Sequence, residues 1–139
     1  MPYKFGKAIL FSLLVWIVGF AWGSIIFMTP LNDLPPIPYV SSSPAISFPL
    51  LVIMPLASYL LAKPYLKDAQ DKRQEGLRFG VTIILVNFIL DLLIIVALFA
   101  GGAVYFASLT VWLGYAAVGA ASSFAGRAQA RQPAEGAKS

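Results

Sequence analysis

Four long apolar runs divide this chain, at about 8–28, 46–62, 79–100 and 103–124, with polar and charged positions gathered between and beyond them. A helix crosses the hydrocarbon core of a bilayer with about 20 residues, within a range of roughly 17–25. Three of the runs meet that length, and the second sits at its short end. Backbone N–H and C=O groups find no partner in lipid, so each run is predicted as a helix that satisfies its own backbone. The fold class that follows is all-α, an integral membrane four-helix bundle over residues 1–126. The remainder, 127–139, is small, polar and charged, and reads as a disordered tail.

Cationic residues are distributed unevenly around these runs. All 10 Lys and Arg residues fall in three clusters: Lys4 and Lys7; Lys63, Lys67, Lys72, Arg73 and Arg78; and Arg127, Arg131 and Lys138. The intervening connections, 29–45 and Gly101–Gly102, carry none. Lys and Arg accumulate on the cytoplasmic side of membrane proteins, so the expected threading is N-in and C-in. A net charge of +4 does not point to nucleic acid, because the basic residues flank apolar runs and form no stripe with stacking aromatics. The expected surroundings are a lipid bilayer, with the cations near anionic head groups.

The first run also has the form of a signal peptide, with Lys4 and Lys7 ahead of an apolar stretch and small residues at Ala21 and Gly23. It continues to Met28, longer than a typical signal core, and a retained helix is the preferred reading. The connection from Thr29 to Ala45 holds Pro30, Pro35, Pro36, Pro38 and Pro44, which predicts an extended, polyproline-like cover over the bundle. Ser41–Ser43 then supply N-cap hydroxyls for the second helix. Pro64 is expected to end that helix, and Pro49 and Pro55 to kink it. Asp71 and Gln74 are spaced as a capping pair, so the third helix is expected to start before the membrane surface.

Hydrophobic residues make up 59% of the chain and charged ones 12%, about half the share usual in soluble domains. Cysteine and histidine are both absent. A disulfide framework, a thiolate metal site and a Ser–His–Asp triad therefore cannot be built. Neither cofactor nor metal is expected, and the chain is read as non-enzymatic. The acids Asp68, Asp71 and Glu75 only loosely resemble a phosphate–metal cluster, and the solvated start of a helix explains them better.

Asp91 is the candidate that matters. It lies about midway along the third run, where an ionised side chain costs roughly 2.5–3.5 kcal/mol, and no Lys or Arg lies at comparable depth. Asn87 precedes it by one turn on the same face. The expectation is a neutral acid donating to Asn87 or to a facing helix, a tie between helices; the functional alternative is a proton- or cation-coupling carboxylate. Tyr105, Ser108, Trp112, Tyr115, Gly119 and Ser122 share one helical stripe in the fourth run, and the Trp112 indole or the Tyr115 hydroxyl is expected to reach Asp91. Trp16 of the first run falls at similar depth. Gly19 and Gly23, with Gly76 and Gly80, are the expected helix-packing positions.

The stretch Glu75-Gly76-Leu77-Arg78-Phe79-Gly80, followed by Asn87, Leu90-Asp91, Tyr105-Phe106 and Trp112-Leu113-Gly114-Tyr115, resembles a pattern in small uncharacterised four-span membrane proteins of bacteria and archaea. The resemblance covers about the second half of the chain. It implies a compact four-helix integral membrane protein and brings no activity or ligand with it. The expected role is a small accessory or structural subunit of a bacterial or archaeal inner membrane, meeting a membrane-protein partner or a second copy through the first helix or the proline-rich loop. A small transporter or channel using Asp91 is the alternative.

Overall fold

The structure is a computed structural model and describes residues 4–37, 43–98 and 102–131. Its elements are α1 (Phe5–Phe27), α2 (Pro44–Leu66), α3 (Lys72–Leu90) and α4 (Leu109–Ala130). A π-helical turn, Asp91–Val96, prolongs α3, and short 3-10 turns occupy Pro30–Asp33 and Gly102–Ala107. All four helices, counting α3 through Val96, are long and apolar enough to cross a membrane. This is the architecture of a multi-pass membrane protein, an all-α four-helix bundle.

The distribution of side chains inverts that of a soluble bundle. Leu77, Val81, Leu85 and Ile89 recur every fourth residue on α3 and all are at least half exposed, forming a stripe for lipid. Inside, the apolar core of Val15, Leu66, Phe79, Ile83 and Val118 is interleaved with buried hydroxyls. The Ser58 hydroxyl lies 2.6 Å from that of Ser122 and 3.0 Å from the Val118 carbonyl, joining α2 to α4. Ser12 donates to the Ala8 carbonyl of its own helix at 2.7 Å, which satisfies its hydroxyl without a partner helix. The Tyr65 ring stacks on Phe79 with centroids 4.4 Å apart, closing the core between α2 and α3.

Glycine sets the approach of α3 to α4. A methyl group added at Gly80 would lie 2.8 Å from the Gly119 carbonyl oxygen, and one at Gly76 would lie 2.9 Å from the Gly126 Cα. Only hydrogen fits at these points, so the two backbones touch. Gly19 faces the flexible Met54 side chain of α2, whereas a methyl group at Gly23 would meet nothing within 4 Å. The first G-x-x-x-G pair is thus half engaged within the bundle, while Gly76 and Gly80 are both fully committed.

One end of the bundle gathers the cations. Lys4 pairs with Asp68 at 3.8 Å, Lys7 donates to the Pro64 carbonyl at 3.4 Å, and the Gln129 side chain donates to the Lys63 carbonyl at 3.1 Å. These bonds bring the start of α1, the α2–α3 connection and the end of α4 together. Asp71 caps α3, accepting from the Gln74 N–H at 3.0 Å.

Several bounds differ from those drawn on hydropathy. α2 passes through Pro64 and ends at Leu66; like Pro49 and Pro55 in the same helix, Pro64 removes one backbone bond without ending it. The proline-rich connection is not uniformly extended: Pro30 opens a 3-10 turn, where its fixed φ suits a first helical position. Ser43 takes the N-cap position of α2, but its hydroxyl does not cap the helix as expected and donates to Asn32 Oδ1 at 3.4 Å; Pro38 and Ser41 lie outside the described residues. The fourth helix begins at Leu109, because Ser108 takes an extended conformation (ψ 123°) that separates it from the 3-10 turn before it. At its other end α4 continues through Ala130, into the stretch expected as tail; residues 132–139 lie outside the described ones.

Candidate functional site around Asp91

Asp91 stands where α3 changes from regular α-helix to the wider π turn. Its own N–H still reaches back to Asn87 and Phe88, but the turn it opens has one more residue than an α-helical turn. Such turns are uncommon and gather at functional positions. The side chain is 7% exposed and points into the bundle.

Three donors from three other places in the chain converge on the carboxyl group. The Trp16 indole N–H of α1 donates to Oδ1 at 2.8 Å. The Tyr105 hydroxyl, from the 3-10 turn, donates to Oδ2 at 3.0 Å, and the Tyr115 hydroxyl of α4 donates to the same oxygen through a short bond. An indole can only donate, so Oδ1 is necessarily an acceptor. Aromatic packing holds the donors in place. Trp16 stacks on Phe20 at 4.9 Å between centroids, Tyr105 meets Phe106 edge-on, and Tyr115 contacts both Phe88 and Trp112 edge-on.

Asp91, Trp16 and Tyr115 are therefore brought together, and the other expected members are not. Asn87 makes no bond to Asp91. Its amide nitrogen donates to the Ile83 carbonyl one turn back at 2.9 Å, and its Oδ1 is buried without a partner. The aspartate is satisfied from facing elements instead, and the asparagine turns back along its own helix. Trp112 does not reach Asp91 either. Because α4 starts late, Trp112 lies in its first turn, half exposed, and donates to the Phe106 carbonyl at 2.8 Å. That bond fastens the 3-10 turn onto the helix. Ser108 pairs with Thr110 at 2.7 Å between hydroxyls, and as the residue before α4 it accepts the Val111 N–H through its backbone carbonyl at 3.2 Å.

Tyr105 is the member of the constellation that sequence reasoning placed on the wrong element. Its spacing from Ser108 and Trp112 predicts a shared helical stripe, whereas the break at Ser108 lets the Tyr105 hydroxyl of the preceding turn reach Asp91. A tyrosine close after an intramembrane acid, separated from it by paired glycines, was the available signal.

The acids at the basic end are engaged elsewhere. Asp68 pairs with Lys4, Asp71 caps α3, and Glu75 pairs with Arg78 at 3.2 Å while accepting from Tyr65 at 3.4 Å. Among the described residues no group of three His, Cys, Asp or Glu side chains could hold a metal.

A multi-pass bundle with one intramembrane carboxyl group tied to three aromatic donors is the class that fold and site define. No protein-family model, curated protein or solved structure matches the chain, so the resemblance noted for its second half carries no activity to it.

Proposed function

We propose that this chain is a small non-enzymatic accessory or structural subunit of a bacterial or archaeal inner membrane, threaded with both termini inside, in which Asp91 is a tie between helices. The observation that carries this reading is the convergence of Trp16, Tyr105 and Tyr115 on one carboxyl group. Each donor comes from a different element, so a single side chain fixes α1, α4 and the turn before α4 against α3. Interhelical hydrogen bonds of this kind contribute about 0.6–2 kcal/mol each, enough to set packing. The clustering of cations at one end of the bundle supports the threading. The partner is another membrane protein or a second copy. The test is gentle solubilisation followed by crosslinking and sizing. Recovery of a defined assembly is expected, and a protein that runs alone with no crosslinked partner contradicts the role.

A second reading has its own support. The π turn at Asp91 and the unpartnered, buried Oδ1 of Asn87 beside it are features of a site that handles a proton or cation. In that reading the protein is a small coupled transporter or channel, with Tyr105 and Tyr115 shaping the site. Reconstitution in liposomes under imposed ion and pH gradients separates the two. Flux by the wild type that Asp91→Asn abolishes establishes transport. Loss of stability in Asp91→Asn, with no flux in either protein, establishes the tie.

A further inference from the structure

At the cationic end, a groove of about 360 Å³ opens between the start of α3 and the end of α4, lined by Asp71, Arg73, Gln74, Leu77, Ser123 and Arg127. Its geometry is fixed by the glycine contacts directly behind it, since Gly76 and Gly126 hold the two backbones together and leave little freedom to splay. The guanidinium groups of Arg73 and Arg127 reach it from different helices. Neither has an ion pair or hydrogen bond among the described residues. The carboxylate in the groove, Asp71, accepts the Gln74 N–H through Oδ1 at 3.0 Å, and the positive end of the α3 dipole lies beside it.

The neighbouring groove shows what a self-satisfied site looks like. It is lined by Lys4, Asp68, Asp71, Glu75 and Arg78, and its cations are paired with its acids. The Arg73–Arg127 groove has two free planar donors and one wall of a different kind. Leu77, 57% exposed, continues the lipid-facing stripe of α3 down to the charged end. Guanidinium forks match phosphate oxygens in pairs, and an apolar wall leading away from them suits an acyl chain. Basic pockets between helices at this level bind anionic head groups.

We propose that this groove binds the phosphate of an anionic lipid headgroup, clasped by Arg73 and Arg127, with the lipid's chain along Leu77. The probe is phosphatidylglycerol, in native mass spectrometry of the purified full chain carrying a mixture of that lipid and phosphatidylcholine. The wild type is expected to retain phosphatidylglycerol at energies that strip phosphatidylcholine. The double variant Arg73→Gln/Arg127→Gln is expected to lose this retention roughly tenfold, about what the loss of two solvent-exposed ion pairs implies. Lys63→Gln, which removes a cation at the same end but outside the groove, is expected to keep it. Both arginines are exposed, so unchanged helical content by circular dichroism verifies the fold. Equal retention of the two lipids, a double variant that behaves as wild type, or an equal loss in Lys63→Gln overturns the site. Inorganic phosphate separates the sources of the anion: failure to displace the lipid is expected, and full displacement overturns the lipid assignment.

Discussion

The indole N–H of Trp16 meets the carboxyl group of Asp91 at 2.8 Å across a sequence separation of 75 residues. This bond joins the first helix to the third at a point where both side chains are at least nine-tenths buried. Trp16→Phe keeps the ring volume near Phe20 and removes only the donor, leaving Asp91 with two phenols. We expect a loss of about 1–2 kcal/mol in reversible unfolding from mixed micelles. A variant as stable as wild type would show that the bond contributes nothing to the bundle.

The glycine contacts make opposite forecasts for two similar changes. Gly80→Ala places a methyl group 2.8 Å from the Gly119 carbonyl oxygen, a backbone atom that cannot turn aside. Separating the helices to admit it is expected to cost about 1–3 kcal/mol. Gly23→Ala meets nothing within 4 Å and should stay within about 0.5 kcal/mol of wild type. The same unfolding assay ranks the pair, and a reversed order would refute the packing.

The buried hydroxyl pair of Ser58 and Ser122 is suited to a double-mutant cycle. Ser58→Ala, Ser122→Ala and the double variant should reveal a coupling of about 0.6 kcal/mol, with an upper limit of about 1.7. Ser58 also approaches the Val118 carbonyl, so its single variant should cost more than that of Ser122. Strict additivity would mean that the two hydroxyls do not interact.

Trp112→Phe removes the bond from the indole to the Phe106 carbonyl while leaving a ring beside Phe88. The expected effect is local. Amides of the 102–107 turn should exchange hydrogen faster, and those in the middle of α2 should not change. Faster exchange throughout the bundle would show that Trp112 supports more than this turn.

Much of the bundle was legible because lipid imposes a simple rule: long apolar runs must be helical, and they announce their length. The acid at 91 was legible for the same reason, as an expensive group in an apolar run. Its partners were less so. Hydropathy cannot distinguish a helix from a 3-10 turn when both are apolar, and Gly102–Ala107 followed by an extended Ser108 was therefore absorbed into the fourth helix. That shift removed Trp112 from the site and hid Tyr105. Asn87 departs from its expected contact for a different reason. Position on a shared face makes contact feasible, but an amide can satisfy itself against the carbonyl of Ile83, and periodicity carries no information about that competition.

The widened turn at Asp91–Val96 has a geometric corollary for the end of its own helix. Each residue of an α-helix advances the azimuth by about 100°, so an additional residue in one turn swivels the remaining residues of that helix by that amount. Deleting Leu92 is expected to restore a uniform spiral and turn the last residues of α3 to another side of the rod. Trp16 and Tyr115, carried by other helices, would be left in place. One residue of surplus length in α3 thus sets the side of the rod on which that helix ends.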